Sequence, residues 1–268
     1  MVEIGENASA ASVSLRSAAA GWIPVAVVAA GLLAVWTLVV WVGDLPPSLL
    51  PTPWQCVAAA WVHRESLMKG FVGTGAASLA GMALALVGGI VIGVVFSWSR
   101  WLRRAMFPYV MFLQTVPIVA IAPLLIIWSG YRFRTVVIVT AMVCLFPIVN
   151  AVLAGLSRPD TAMNDLFSIY GAGRWRRLVR LQWPAAFRDL VVGLQTASGL
   201  AVIGAIVAEF FVGNGTAYDG LGTLMSGWQA MMRTDALVAA IAASTGLGLL
   251  LYGGIAILSW TILRRYLE

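Results

Sequence analysis

The chain has 268 residues, of which 61% are hydrophobic and only 10% charged, and its formal net charge is +6. An ordinary soluble domain carries about 25% charged residues, so this chain is built for a bilayer, and its long apolar runs without strict alternation call for spanning helices rather than a barrel. The positive balance then belongs to loops that set topology, not to nucleic-acid binding. Cys56 and Cys144 form no CxxC pair and stand beside no histidine cluster, so neither a metal site nor a redox pair is expected and both read as packing residues.

In chain order, residues 1–21 are rich in Ala and Ser and read as a mobile or surface-lying tail, with 22–268 as one transmembrane domain. The first apolar run, Trp22 to Val42, is longer than a signal-peptide core and precedes no clear cleavage site, so an uncleaved first span is expected. Pro24 falls in its first turn, where a missing N–H costs little. In Leu50-Pro51-Thr52-Pro53-Trp54, Thr52 can cap and Pro53 can open a short helix on the outer membrane surface. Trp54 and Trp61 suit an interfacial belt.

The second span, Phe71 to Trp98, carries Ala77, Gly81, Ala85, Gly89 and Gly93 at four-residue spacing, a ridge that lets a neighbouring helix approach closely. The third, Ala105 to Trp128, contains Pro108, Pro117 and Pro123 and is expected to bend or break. The fourth runs from Thr135 to Leu156. Ser157–Trp183 is too rich in charge to cross and forms the one large polar loop. The fifth span, Ala185 to Phe211, leads into an external loop with Gly213, Gly215, Gly220 and Gly222, and the last runs from Ala236 to Leu263. The expected fold class is therefore all-α, a polytopic membrane protein with six spans.

On the six-span reading, twelve of the 17 Lys and Arg residues fall on the face of the termini and the long loop and five on the other. Positive loops stay in the cytoplasm, which puts both termini and the 157–183 loop there. Within the spans, Gln114, Thr115, Asn150, Gln195, Thr196 and Ser198 are candidates for an aqueous path, and interhelical hydrogen bonding is the other use for each. Glu209 is the one acid well inside an apolar run. It either braces the outer loop through a basic partner such as Arg132 or Arg134, or touches the solute.

The polar loop contains Asp165-Leu-Phe-Ser-Ile-Tyr-Gly171, then Arg-rich sequence to Leu181-Gln-Trp-Pro184. Leu166, Ile169 and Tyr170 share one face of a short helix. Gly171 can end that helix with positive φ and turn the chain into a second helix, on which Trp175, Leu178 and Leu181 share a membrane-facing side. This segment resembles the cytoplasmic loop of binding-protein-dependent ABC importer permeases, whose motif runs Glu-Ala-Ala, three residues, Gly, nine residues, Ile, one residue, Leu-Pro. Asp165 falls at the acid, Leu166 and Phe167 at the alanines, Gly171 at the glycine, Leu181 at the isoleucine and Pro184 at the proline. The bulky Leu166 and Phe167 depart from the pattern and imply a matching groove on the ATPase.

Val116-Pro117, Ala122-Pro123-Leu124, Phe146-Pro147, Ala208-Glu209-Phe210 and Gly220-Leu221-Gly222 extend the likeness to the nitrate, taurine and alkanesulfonate permeases. The resemblance implies a type I-like permease in the bacterial inner membrane, working as a homodimer with two ATPase subunits and an extracytoplasmic solute-binding protein. Its solute would be a small anion such as a sulfonate, taurine or nitrate, with a pyrimidine or flavin vitamin precursor as the alternative. ATP and Mg would sit on the ATPase partners, with no cofactor in this chain, which lacks the G-x-x-x-x-G-K-[ST] phosphate loop. An ion-coupled secondary transporter would need mid-depth acids or inverted repeats, which are not evident. An intramembrane enzyme would need a catalytic cluster, and the one histidine, His63, lies outside the spans.

Overall fold

The computed structural model describes the backbone of residues 3–130, 133–212 and 219–267, and the side chains of 23–130, 133–160, 162–212 and 219–261. All elements within these are helices: α1 (Glu3–Val42), α2 (Pro53–Val62), α3 (Arg64–Trp98), α4 (Arg100–Thr115), α5 (Ile118–Ser129), α6 (Phe133–Leu156), α7 (Thr161–Ile169), α8 (Arg174–Arg177), α9 (Trp183–Val212), α10 (Leu221–Ala230) and α11 (Thr234–Leu267). A π-helical turn, Leu178–Gln182, joins α8 to α9.

The centre of the molecule is a triad of α3, α6 and α9. The small-residue ridge on α3 builds it: Gly81 lies against Thr140, Gly89 against Ile148 and Gly93 against Val152, so closely that a Cβ at any of the three would overlap its neighbour. Those pairs rise together in number, so α3 and α6 run parallel. α9 runs the other way, with Gly155 against Ala186, Gly193 against Ala151 and Gly204 against Thr140.

Parallel α3 and α6 require the chain between them to return across the bundle, and α4 with α5 makes that return. The two helices meet at 99°, where Val116 and Pro117 are extended, because Pro117 has no N–H to continue the ladder. Val110 of α4 packs with Val149 and Leu153, in the second half of α6. Ile126 of α5 packs with Val136 and Val139, in its first half. The broken pair therefore counts as one crossing. With the five unbroken apolar helices, Ile23–Val42, Arg64–Trp98, Phe133–Leu156, Arg174–Val212 and Thr234–Thr261, the expected six spans result.

The bundle has two dissimilar ends. At one, α2 and α10 lie across the start of α3 and the finish of α9. Thr52 caps α2 as expected, its hydroxyl accepting from Gln55 N while Gln55 Oε1 accepts from Thr52 N, and Trp36 Nε1 donates to Pro51 O at 3.1 Å. Trp54 and Trp61 are exposed there, and Cys56 and Cys144 are buried. The other end carries α7, the finish of α3 and α6, and the start of α8.

Several boundaries differ from those expected. α1 continues upstream to Glu3, so Pro24 lies inside it rather than in its first turn. The fifth span begins at Arg174, not Ala185, because α8, the π turn and α9 form one continuous rod. Trp175, Leu178 and Leu181 accordingly do not share a membrane-facing side: Leu178 is in the core with Ala186 and Leu190, while Trp175 is exposed and meets Trp98 edge-on at 6.2 Å. α10 was not anticipated. Gly213 and Gly215 lie outside the described residues.

Candidate coupling site and translocation face

α7 presents its apolar side to solvent. Ile169 is 81% exposed, Tyr170 78% and Leu166 44%, with Met163 beside them. Asp165 is also exposed and Phe167 is half-buried. A nine-residue helix that leaves so much apolar surface uncovered is shaped to meet another chain.

The helix ends where the sequence requires. Gly171 has φ +64, its N–H donates to Ser168 O at 3.0 Å, and Ala172 N–H donates to Phe167 O at 2.9 Å. These are the two crossed bonds of a Schellman end, which needs a left-handed residue that glycine adopts freely. Arg177 Nη2 donates to Ser168 Oγ at 2.9 Å, pinning α7 to α8. The Arg158–Asp189 ion pair, 2.9 Å, ties the exit of α6 to α9. Leu181 is half-buried and Pro184 exposed on the same rod. Pro184 has no N–H to give Arg180 O, and the preceding turn widens so that Trp183 N–H reaches Leu178 O instead. α7 is thus joined at Ser168 to a rod whose far end is Val212.

At the opposite end, Glu209 is fully buried. Its Oε2 accepts from Thr74 Oγ1 at 2.8 Å and from Gly222 N–H at 2.9 Å. Thr74 Oγ1 in turn accepts from Leu221 N–H at 2.8 Å. The carboxylate thereby serves the first turn of α10, where amide donors and the helix dipole favour negative charge. The absence of a side chain at Gly220 makes room for it, since a Cβ there would fall on the carboxyl group. Glu209 braces this end through Thr74 and the start of α10; of the two basic partners expected for it, Arg134 Nε donates to Ser129 O, and Arg132 lies outside the described residues. Sequence reasoning missed Thr74, whose one signal was a hydroxyl between Gly73 and Gly75 opposite an acid 135 residues away.

The polar residues of the spans divide. Gln195 and Thr196 line an open groove of about 400 Å³ between α9 and α11, together with Ser244, Thr245 and Tyr252, and Ser198 lies behind them. The three α11 residues were missed, although Ser244-Thr245 interrupting an apolar run was a readable signal. Asn150 is exposed on the side of α6 away from α3, as Thr196 is on α9. Gln114 and Thr115 are exposed just ahead of the α4–α5 break. The structure does not gather all six into one cavity of a single chain.

A six-span helical bundle with an exposed, glycine-terminated loop helix defines a polytopic membrane protein that leaves one short helix uncovered outside its spans. Residues 85–264 match the model of the binding-protein-dependent transport system inner membrane component, and the chain belongs to that family, as a multi-pass inner-membrane protein. It is 30% identical over 236 residues to a probable ABC transporter permease protein of Haemophilus influenzae, covering 88% of this chain and 93% of that one. It is 34% identical over 177 residues to the formylaminopyrimidine transport permease protein ThiX of Halalkalibacterium halodurans (66% and 69% covered). With the riboflavin transport system permease protein RibX of Chloroflexus aurantiacus the identity is 31% over 229 residues, 82% of each chain.

Proposed function

We propose that this chain is the membrane-spanning subunit of an ATP-driven importer, in which α7 docks on a separate ATPase and two copies of the chain enclose the solute path between faces built from α6, α9 and α11. The observation that carries the reading is the exposed Leu166, Ile169 and Tyr170 stripe, set at its angle by Gly171 and joined through one rod to α9. ATP and Mg belong to the ATPase partners. The α7 end is cytoplasmic on the distribution of basic residues, and a solute-binding protein delivers cargo to the α10 end. Asn150 and Thr196 stand exposed and Gln195 half-buried, polar groups that lipid would penalise, which supports a second copy and an aqueous path against them.

The groove residues Gln195, Thr196, Ser244, Thr245 and Tyr252 carry an amide, hydroxyls and one ring but no formal charge. That chemistry suits a neutral heteroaromatic solute, a pyrimidine or flavin precursor, as ThiX and RibX are named for. A small anion is the second reading, supported by likeness to aliphatic-sulfonate and taurine permeases of Escherichia coli.

Replacing Ile169 and Tyr170 together by Glu is expected to abolish copurification of the ATPase while the permease still elutes as a single species. Undiminished copurification would remove α7 as the docking element. In proteoliposomes with the ATPase and cognate binding protein, uptake of labelled pyrimidine or flavin should be indifferent to excess taurine; inhibition by taurine would return the anion reading.

A further inference from the structure

Three arginines open α4, and beyond their share in the basic balance that orients the chain the transport reading does not use them. Arg100, Arg103 and Arg104 line one groove of about 390 Å³ with Phe107 and Pro108. Spacings of three and four residues put all five on one stripe of the helix. The stripe changes character along its length: three guanidinium groups in the first turn and a half, then an aromatic ring and a proline. Met111, one turn further and 48% exposed, continues it. From Arg100 to Pro108 the helix rises about 12 Å, so cationic and apolar surfaces follow one another over the span of a lipid headgroup and its glycerol.

Among the described residues, no acid pairs with these charges. The ion pairs found among the described residues, Arg158–Asp189 and Arg233–Asp235, include none of the three. The start of α4 adds its own positive end. The floor of the groove is held still, because Phe107 meets Phe146 at 6.3 Å and belongs to the cluster of Val110, Val149 and Leu153. Trp101, 77% exposed, and Trp98, 44%, stand at the same level, where indole rings mark the membrane–water interface.

We propose that this groove binds an anionic phospholipid at the α7 end of the bundle, its phosphate held by Arg100, Arg103 and Arg104 and its glycerol and upper acyl chain lying over Phe107, Pro108 and Met111. Guanidinium forks suit phosphate oxygens geometrically. The occupant is a lipid rather than a free anion because the cationic pocket runs directly into an apolar floor open to the bilayer. By holding the start of α4, the bound lipid would fasten the crossing that is interrupted between α4 and α5.

The test is native mass spectrometry of the detergent-purified full chain titrated with phosphatidylglycerol or phosphatidylcholine. Wild type should retain phosphatidylglycerol preferentially, and Arg103→Gln with Arg104→Gln should lower that preference by about tenfold or more, each basic residue near an anionic headgroup contributing substantially. The loop variant Arg174→Gln with Arg176→Gln, equal in charge lost, should keep it. Equal retention of both lipids by wild type, or an equal loss in the loop variant, would overturn the proposal. So would displacement of phosphatidylglycerol by millimolar inorganic phosphate, which would make this a general anion site. Loss of ATPase copurification with lipid preference intact would likewise overturn it, assigning the arginines to the protein partner.

Discussion

The two ends of the bundle are built on opposite plans. At the α10 end, Glu209, Thr74, Leu221 N–H and Gly222 N–H satisfy one another inside a buried network drawn from three helices. At the α7 end, a short helix offers Leu166, Ile169 and Tyr170 to solvent, and its hydrogen bonds serve only to fix its direction. A buried carboxylate is tolerated only with its donors in place, so the first end is completed by this chain itself. Exposed apolar area on a helix whose C-terminal end is firmly closed asks for a partner. The first end therefore responds to substitution through stability, and the second through partnership.

The largest effect expected at the closed end comes from Gly220→Val. Its side chain would occupy the place of the Glu209 carboxyl, leaving Thr74 and the first turn of α10 without their acceptor, and each buried group so orphaned costs about 1–3 kcal/mol. Thermal unfolding followed by tryptophan fluorescence should begin several degrees lower. An unshifted midpoint would show that the network carries little of the stability of that end.

Glu209→Gln is a gentler probe of the same network. The amide keeps an oxygen for Thr74 or Gly222 N–H but loses the charge that favours the start of α10, typically about 0.3–1 kcal/mol. Solute uptake should fall while ATPase copurification stays at the wild-type level. Wild-type uptake would show that the charge is tolerated rather than used.

The proposed orientation puts the two ends in different compartments. A cysteine at Asp160 should react only with membrane-permeant reagents, and one at Asp219 with impermeant reagents added outside; the reverse result would invert the topology. Burial, and then the nearby Asp235 carboxylate, push the native Cys56 thiol up, so it holds less thiolate at neutral pH and should contribute little background labelling. Rapid labelling of wild type at that pH would contradict its burial.

Much of this organisation was legible because it rests on local rules. The ridge of Gly81, Gly89 and Gly93, the break at Val116-Pro117, the Thr52 cap and the helix-ending Gly171 each follow from steric or hydrogen-bonding properties of a few adjacent residues. What escaped depends on distant packing. Glu209 could be read as needing a partner, but the Thr74 hydroxyl 135 residues away and the Gly222 amide cannot be picked out from spacing alone. Leu178 was assigned to the membrane side because the loop was expected to end at Trp183. Once α8, the π turn and α9 form one rod, that leucine rotates into the core beside Ala186.

The most direct test of the account is Gly171→Val. Residue 171 sits at φ +64 with open space around a would-be Cβ, so no neighbour is displaced and the entire effect is on backbone conformation. A β-branched residue strongly disfavours that conformation, and α7 should then end at a different angle. The variant should insert and purify normally yet lose solute-stimulated ATP hydrolysis and uptake, with weakened ATPase copurification. Wild-type stimulation and uptake in Gly171→Val would contradict the assignment of α7 as the coupling element.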